Sequence, residues 1–444
     1  MNLGRIASLV IVALLGAALL VSRGSPSPAA KHSAPTLPAP SVPDPALLPV
    51  ASGQHPNLLA YVALDVPNQP AGFSYHDPVT GIRVWKVTSN TVPVVSTGKG
   101  AGHDYSDGPN EVSLGWGPNN NTHTILIGAP QGRGYYLVDF TTGVGFSKYR
   151  RLTVQPARDL AVSFSNLLTQ PRIAYILTGA QIVRYNTATM QVENRGRFPL
   201  ELSAIGGGFG WLQHDKTDVW FVGLMNDQTV AFAWNSQTND LRTHHESWLN
   251  EPRLERDGRY IALTNSNNTF RLWDLSTNSF GPTQFDRVNY WLGHNANLRG
   301  QWVSTDVNAS APFDLDRYYP SGDQIVKVRI LNNSAGAGVH HSGNWVQSDV
   351  ELSGDLNKQW SVLSGIDDNA FTRTALWKQA IGMVRSDGSD ARLLVHHYDF
   401  DPASLDYFAD PFAQISPDGK VVIFNSNMNG ASRYDLFIAE VPLR

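Results

Sequence analysis

Cysteine is absent from this chain of 444 residues. That excludes disulfides, thiolate nucleophiles and cysteine-ligated metal sites, so stability has to come from burial. Charge is scarce as well: Asp, Glu, Lys and Arg together supply 16% of the residues, and the formal net charge is −4. No basic stripe gathers anywhere, which argues against a nucleic-acid partner. No amphipathic pattern runs beyond about two helical turns, which argues against a helical bundle. Gly-x-Ser-x-Gly elbows, phosphate-binding loops and His-Glu-x-x-His motifs are missing too.

What is abundant points the other way. Gly (38), Pro (27) and Trp (12) are plentiful, and hydrophobic residues reach 42%. Such a mix suits many short strands joined by tight turns. Only the N-terminus departs from it. Arg5 precedes the apolar run "ASLVIVALLGAALLVS", so residues 1–22 are expected to be an export signal or a membrane anchor. With no cysteine after the run, a lipoprotein anchor is excluded. Residues 23–55 are rich in Pro, Ala and Ser and are expected to form a disordered tether. The protein is thus expected outside the cytoplasm, monomeric, and touching a membrane only through this segment.

From residue 56 to 444 the pattern is that of strands. "IRVWKVT", "HTILIGA", "GYYLVDF", "RIAYILTG", "DVWFVGLM", "RYIALTN", "FRLWDLS", "KVVIFNSN" and "YDLFIAEV" are short β-branched and aromatic runs bounded by turn residues. They recur as a unit: a polar turn, an apolar strand, then a strand ending in an aromatic-aliphatic-Asp pattern. "GPNNNTHTILIGAPQGRGYYLVDFTTG", "ERDGRYIALTNSNNTFRLWDLSTNS" and "SPDGKVVIFNSNMNGASRYDLFIAEV" are the clearest copies, and weaker ones start near Leu168, His214, Leu298 and Asp355. A period of roughly 40 to 60 residues is that of propeller blades. Seven copies predict an all-β, seven-bladed β-propeller. "GFSYHDPVTGIRVWKVTS" would add N-terminal strands to the last blade and close the ring, hiding its open edges. A tandem β-sandwich array is the architectural alternative.

The last unit resembles the blade of TolB-type propellers, in Ser416, Pro417, Asp418 and Gly419, then Phe424 and Ser426, then Gly430, then Asp435 to Ile438. A wider resemblance rests on "YHDPVTGIRVWKVT", "GHDYSDGPNEVSLGWGPN", "YWLGHNANLRGQ" and "YFADPFAQISPDGKVVIFNSN". These occur in the order found in oligogalacturonate-lyase-like propellers, over most of residues 75–444. True lyases hold manganese on His and Gln side chains, take a sugar proton with a His and eliminate across a uronate. His294 falls at one metal-binding His of that pattern. Asp410 and Phe412 stand where two more His belong, Tyr407 where the Gln belongs, and Glu251 where the catalytic His belongs. The resemblance therefore implies a degenerate member that binds, and in the extreme cleaves, an acidic or neutral glycan in its channel. A non-enzymatic, TolB-like scaffold that binds a protein partner in the cell envelope is the other reading.

The candidate site follows. His294, His397 and Asp410 form the candidate set for a divalent metal such as manganese, since imidazole with carboxylate suits such ions. His340 and His341 are other donors. His103, Glu251 and Arg299 are the candidate catalytic groups, with Arg299, Arg253 and Arg256 as candidate carboxylate clamps. Tyr105, Trp291 and Trp345 are candidate sugar contacts. The bland readings are a hydrogen-bonding turn residue for His294, a polar loop for the "GHDYSDG" stretch, solvated arginines, and tryptophans packed between blades.

Overall fold

A computed structural model describes residues 48–49, 56–94, 114–129, 134–157, 161–250, 252–265, 269–285, 295–305, 315–331, 339–343, 355–365, 379–399 and 411–442. Its strands form seven antiparallel sheets, the blades of a propeller. Blade 1 runs Leu114–Trp116, Thr122–Ala129, Gly134–Thr141, Gly145–Phe146. Blade 2 runs Val162–Phe164, Ile173–Thr178, Gln181–Asn186, Gln191–Val192. Blade 3 runs Gly208–His214, Trp220–Met225, Val230–Asn235, Asp240–His245. Blade 4 runs Arg253–Leu254, Tyr260–Thr264, Thr269–Asp274, Ser279–Phe280. Blade 5 runs Asn295–Leu298, Gln301–Thr305, Leu315–Ser321, Gln324–Leu331. Blade 6 runs Val339–Gly343, Trp360–Gly365, Ala380–Arg385, Ala391–His396. Blade 7 takes Gln414–Ile415, Val421–Ser426 and Asp435–Glu440 from the C-terminus, then Arg83–Lys86 and Ser74–His76 from the N-terminus.

The ring thus closes as the sequence predicts. Val84, Trp85 and Lys86 pair with Ala439, Ile438 and Phe437. Apolar side chains alternate along the strands and fill the spaces between blades. Leu212, Phe221, Phe232 and Trp234 pack between blades 2 and 3. Val87, Leu114, Ile125, Phe140, Val421 and Ile438 seal blade 7 to blade 1. Trp234, Trp273 and Trp302 are fully buried, as expected of interblade tryptophans.

All seven sequence repeats begin at the turn between the first and second strands of a blade, here called the inner turn. These turns are cross-linked around one face of the ring. His123 Nε2 meets Asp418 Oδ1 at 2.9 Å between blades 1 and 7. The Asn166 N–H donates to Asp218 Oδ1 (3.1 Å) between blades 2 and 3. Lys216 reaches Asp257 at 2.8 Å between blades 3 and 4, and Arg299 reaches the same Asp257 at 2.8 Å from blade 5. The Arg299 N–H donates to Gln359 Oε1 (2.8 Å) of blade 6. Gly258 explains why one such turn needs glycine: its φ is +78°, and a Cβ there would sit 2.9 Å from the Asp215 Cβ.

The chain reaches the propeller through a strap. Leu48 and Pro49 pair with Leu393 and Arg392 on the outer edge of blade 6, seven residues before the expected end of the tether at 55. Asn57 then caps a short helix, Leu58–Val62, by accepting from the Ala60 N–H (3.2 Å). Tyr61 stacks on Tyr398 of blade 6, with centroids 3.8 Å apart. Lys86 Nζ grips the carbonyls of Val66 (2.8 Å) and Gln69 (2.9 Å), and pairs with buried Asp435 at 3.2 Å. Arg433 joins both groups, donating to the Pro67 carbonyl (2.7 Å). Among the described residues no helix is long and apolar enough to cross a membrane.

Candidate functional site

The first strand of a blade has no sheet neighbour on its channel side, so its backbone groups there need other partners. Gln213, on the first strand of blade 3, supplies one. Its Oε1 accepts from the Leu254 N–H of blade 4 (3.2 Å) and from Asn297 Nδ2 of blade 5 (3.3 Å). One buried amide therefore ties three consecutive first strands. Strand alternation places Asn295 and Asn297 on one face, while Ala296 and Leu298 face the apolar core shared with blade 6. Gln414 is buried on the first strand of blade 7. On blade 4 the guanidinium of buried Arg253 lies over the Trp211 ring, 4.5 Å from its centroid. Around the ring the first strands are thus joined by buried amides, with one buried arginine–indole stack.

Gln213, Arg253, Asn297 and Gln414 are each the penultimate residue of their first strand, next to the inner turns, whereas Asn295 begins its strand at the opposite end, here called the entry face. Several expected site residues immediately precede the same strands in sequence: Glu251 before Arg253, His294 before Asn295 and Asp410 before Gln414. His294, Glu251, Asp410, His103, Tyr105, Trp291 and Trp345 all lie outside the described residues. So does Tyr407, and nothing is described of the side chains of His340 and His341.

Of the described candidates, Arg299 and His397 are far apart in the fold. Arg299 lies in the inner turn of blade 5, beyond the far end of the strand that begins at Asn295. There its Nε donates to Asp257 Oδ1, so the guanidinium serves an interblade clamp rather than the entry face. Asp257 is drawn below the ordinary carboxylate range: burial opposes ionisation, but hydrogen bonds from Lys216 and Arg299 and their charges outweigh it. His397 does lie on the entry side, directly after the fourth strand of blade 6. Its Nδ1 accepts from the Asp399 N–H (3.0 Å), and its Nε2 donates to the Gly365 carbonyl. Both ring nitrogens are taken by backbone, so His397 has no lone pair for a metal. Burial pushes its pKa down to about 3, so the ring is neutral at pH 7.

Arg256 is equally committed. It is buried at the inner-turn face, where its backbone N–H donates to the Leu298 carbonyl (3.0 Å). Burial lowers its pKa to about 9, against the charges of Asp215, Asp257, Asp218 and Glu255. Glu255 beside it accepts backbone N–H groups from Asp257 (2.7 Å), Arg259 (2.7 Å), Tyr260 (3.1 Å) and Gly300 (2.8 Å). Asp77, within the "YHDPVTG" stretch of the resemblance, holds its own turn through the Val79 and Thr80 N–H groups and accepts from the His396 N–H (3.0 Å).

Among the described residues no group of three or more His, Asp or Glu is placed to hold a metal. With His397 saturated by backbone, these residues do not fit a manganese centre. The amides Gln213, Asn295, Asn297 and Gln414 were not foreseen from the sequence. The alternation polar-apolar-polar-apolar in "NANL" was the available signal.

No protein-family model matches the chain, and no curated protein matches its sequence. Among solved structures, an oligogalacturonate lyase in complex with manganese superposes with a TM-score of 0.56 at 12% identity, covering 84% of this chain and 97% of that one. An oligogalacturonate lyase from Vibrio parahaemolyticus gives 0.56 and 12%, covering 83% and 96%. At that identity the likeness establishes a shared fold, the seven-bladed propeller.

Proposed function

We propose that this is an exported, carbohydrate-binding propeller of the oligogalacturonate-lyase type, which takes an acidic or neutral oligosaccharide in its central channel. The observation that carries this reading is the set of amides on the innermost strands: Gln213, Asn295, Asn297 and Gln414, beside Arg253 over Trp211. Amides offer a donor and an acceptor on one rigid group, which suits vicinal sugar hydroxyls. A guanidinium suits a uronate carboxylate, and an indole suits a sugar face. His103, Glu251, Tyr105, Trp291, His294 and Asp410 belong to this reading as the residues that would complete the rim. Cleavage is not part of it. The described residues supply no metal centre to acidify a sugar proton, so no elimination step is assigned.

Thermal melting of the purified protein with oligogalacturonates, and with neutral oligosaccharides of equal length, tests the proposal. A rise in melting temperature that saturates with ligand is expected. Asn295→Ala should weaken the apparent affinity about tenfold, the loss of one hydrogen bond worth ~1.4 kcal/mol in a desolvated site. No shift with any oligosaccharide would overturn it and leave a protein-binding scaffold as the better account. Metal content and unsaturated-uronate absorbance, recorded on the same samples, decide whether binding or elimination occurs.

A further inference from the structure

The strap carries an apolar face that the propeller does not use. Helix Leu58–Val62 buries Tyr61 and turns Leu58, Leu59 and Val62 outward, at 42%, 88% and 58% exposure. Leu59 is the most exposed large apolar side chain among the described residues. The surrounding sequence is uncharged: residues 45–64 contain no Asp, Glu, Lys or Arg. This is not loose chain. Tyr61 on Tyr398, and the Lys86, Arg433 and Asp435 set that grips residues 66–69, fix the helix to the seam of blades 6 and 7. A rigid body therefore presents three apolar side chains to solvent where exposure costs free energy.

The chain also enters the body here, through Leu48 and Pro49 on the edge of blade 6. Between the apolar run ending at Ser22 and Leu48 lie residues 23–47. A tether of that length spans roughly 80 Å if fully extended in the polyproline form, and about 25–30 Å as a flexible coil. We propose that Leu58, Leu59 and Val62 form a lipid-docking face, seated in the bilayer surface that receives the apolar run 7–22. Three side chains give only weak membrane affinity by themselves. Tethering converts that contact into an intramolecular one at millimolar effective concentration, which is enough to populate it. An apolar medium fits the occupant best, because the helix and the residues before it carry no charge and exposed Asp65 is the first charged residue after it. Contact through this face would stand the propeller on the rim of blades 6 and 7 and leave the entry face of the channel open to the side.

The absence of cysteine allows a direct test. Full-length protein carrying Leu59→Cys, labelled with an environment-sensitive fluorophore, is reconstituted in phosphatidylcholine–phosphatidylglycerol vesicles. The comparison is Leu168→Cys on blade 2, 56% exposed and distant from the strap. A blue shift, with quenching by nitroxide lipids severalfold stronger at 59 than at 168, is expected. A label at Val62→Cys should lose that quenching when Leu58→Asp and Leu59→Asp are added. Equal quenching at the two positions, persistent quenching in the acidic variant, or failure of the chain to float with the vesicles would each overturn the proposal. Circular dichroism of each variant checks that the fold is intact. Glycan-induced melting shifts are read separately, so failure of one proposal is distinguishable from failure of the other.

Discussion

At the scale of single residues, the seam between the last and first blades depends on one side-chain pair. Asp418 sits in the "SPDG" turn and accepts from Ser416 Oγ (2.7 Å) while its Oδ1 meets His123 Nε2. Burial by itself would raise its pKa. The hydrogen bond and charge interaction with His123, aided by Ser416 and the Lys420 N–H, reverse that and hold it at about 2. A depressed carboxyl stabilises the fold fully above its unfolded value near ~4, and that contribution is lost as pH falls toward the folded value. Urea titrations of wild type should therefore lose about 2 kcal/mol of this contribution between about pH 5 and pH 2. Asp418→Asn should flatten that part of the profile. An unchanged pH dependence in the variant would remove the pair from this role. His397 shows the limit of reading residues one at a time. Its place in "LLVHHYDFD" makes it a plausible ligand, yet tertiary structure spends both ring nitrogens on the Asp399 N–H and the Gly365 carbonyl. Nothing in the local sequence announces a carbonyl that comes from another strand.

At the scale of elements, the inner turns carry cross-links between blades, and their sequences reveal them. "SPDG", "ERDG" and the turn after His214 mark the repeats because the turn needs a carboxylate to cap it and a neighbour to clamp. In "ERDG", Glu255 gathers four backbone N–H groups, one of them from blade 5. Gly258→Ala is expected to destabilise by roughly 1–2 kcal/mol, from strain at positive φ plus contact with Asp215. Chemical denaturation reads this directly, and a loss below ~0.5 kcal/mol would mean that the turn relaxes freely. The repeat count and turn positions were legible because each blade restates them. The site was less so. Its amides lie on first strands only two to seven residues long, and the residues singled out as chemical lie mostly in the connections that lead into them. A propeller varies those connections without repeating them, so periodicity carries no information about them.

At the scale of the whole molecule, the ring is closed by a blade drawn from both ends of the chain. Deleting residues 1–86 would strip Ser74–His76 and Arg83–Lys86 from blade 7, together with the strap. The open edge of Asp435–Glu440 and the buried charge of Asp435 would then lie exposed, and loss of cooperative unfolding by calorimetry is the expected result. A deletion ending at residue 41 should leave the melting temperature within a few degrees of wild type. The same closure sets an order of events for the living chain. Trp85 must wait for Ile438, so more than three hundred residues have to emerge before the first strands acquire their permanent neighbours. Blades 1 to 6 can condense as they are synthesised. The final fastening cannot occur until the C-terminus is free. Any factor that holds the C-terminus, whether a stalled ribosome or an inflexible fusion partner, keeps the molecule as an unlatched crescent, with two unmatched sheet edges available to another chain.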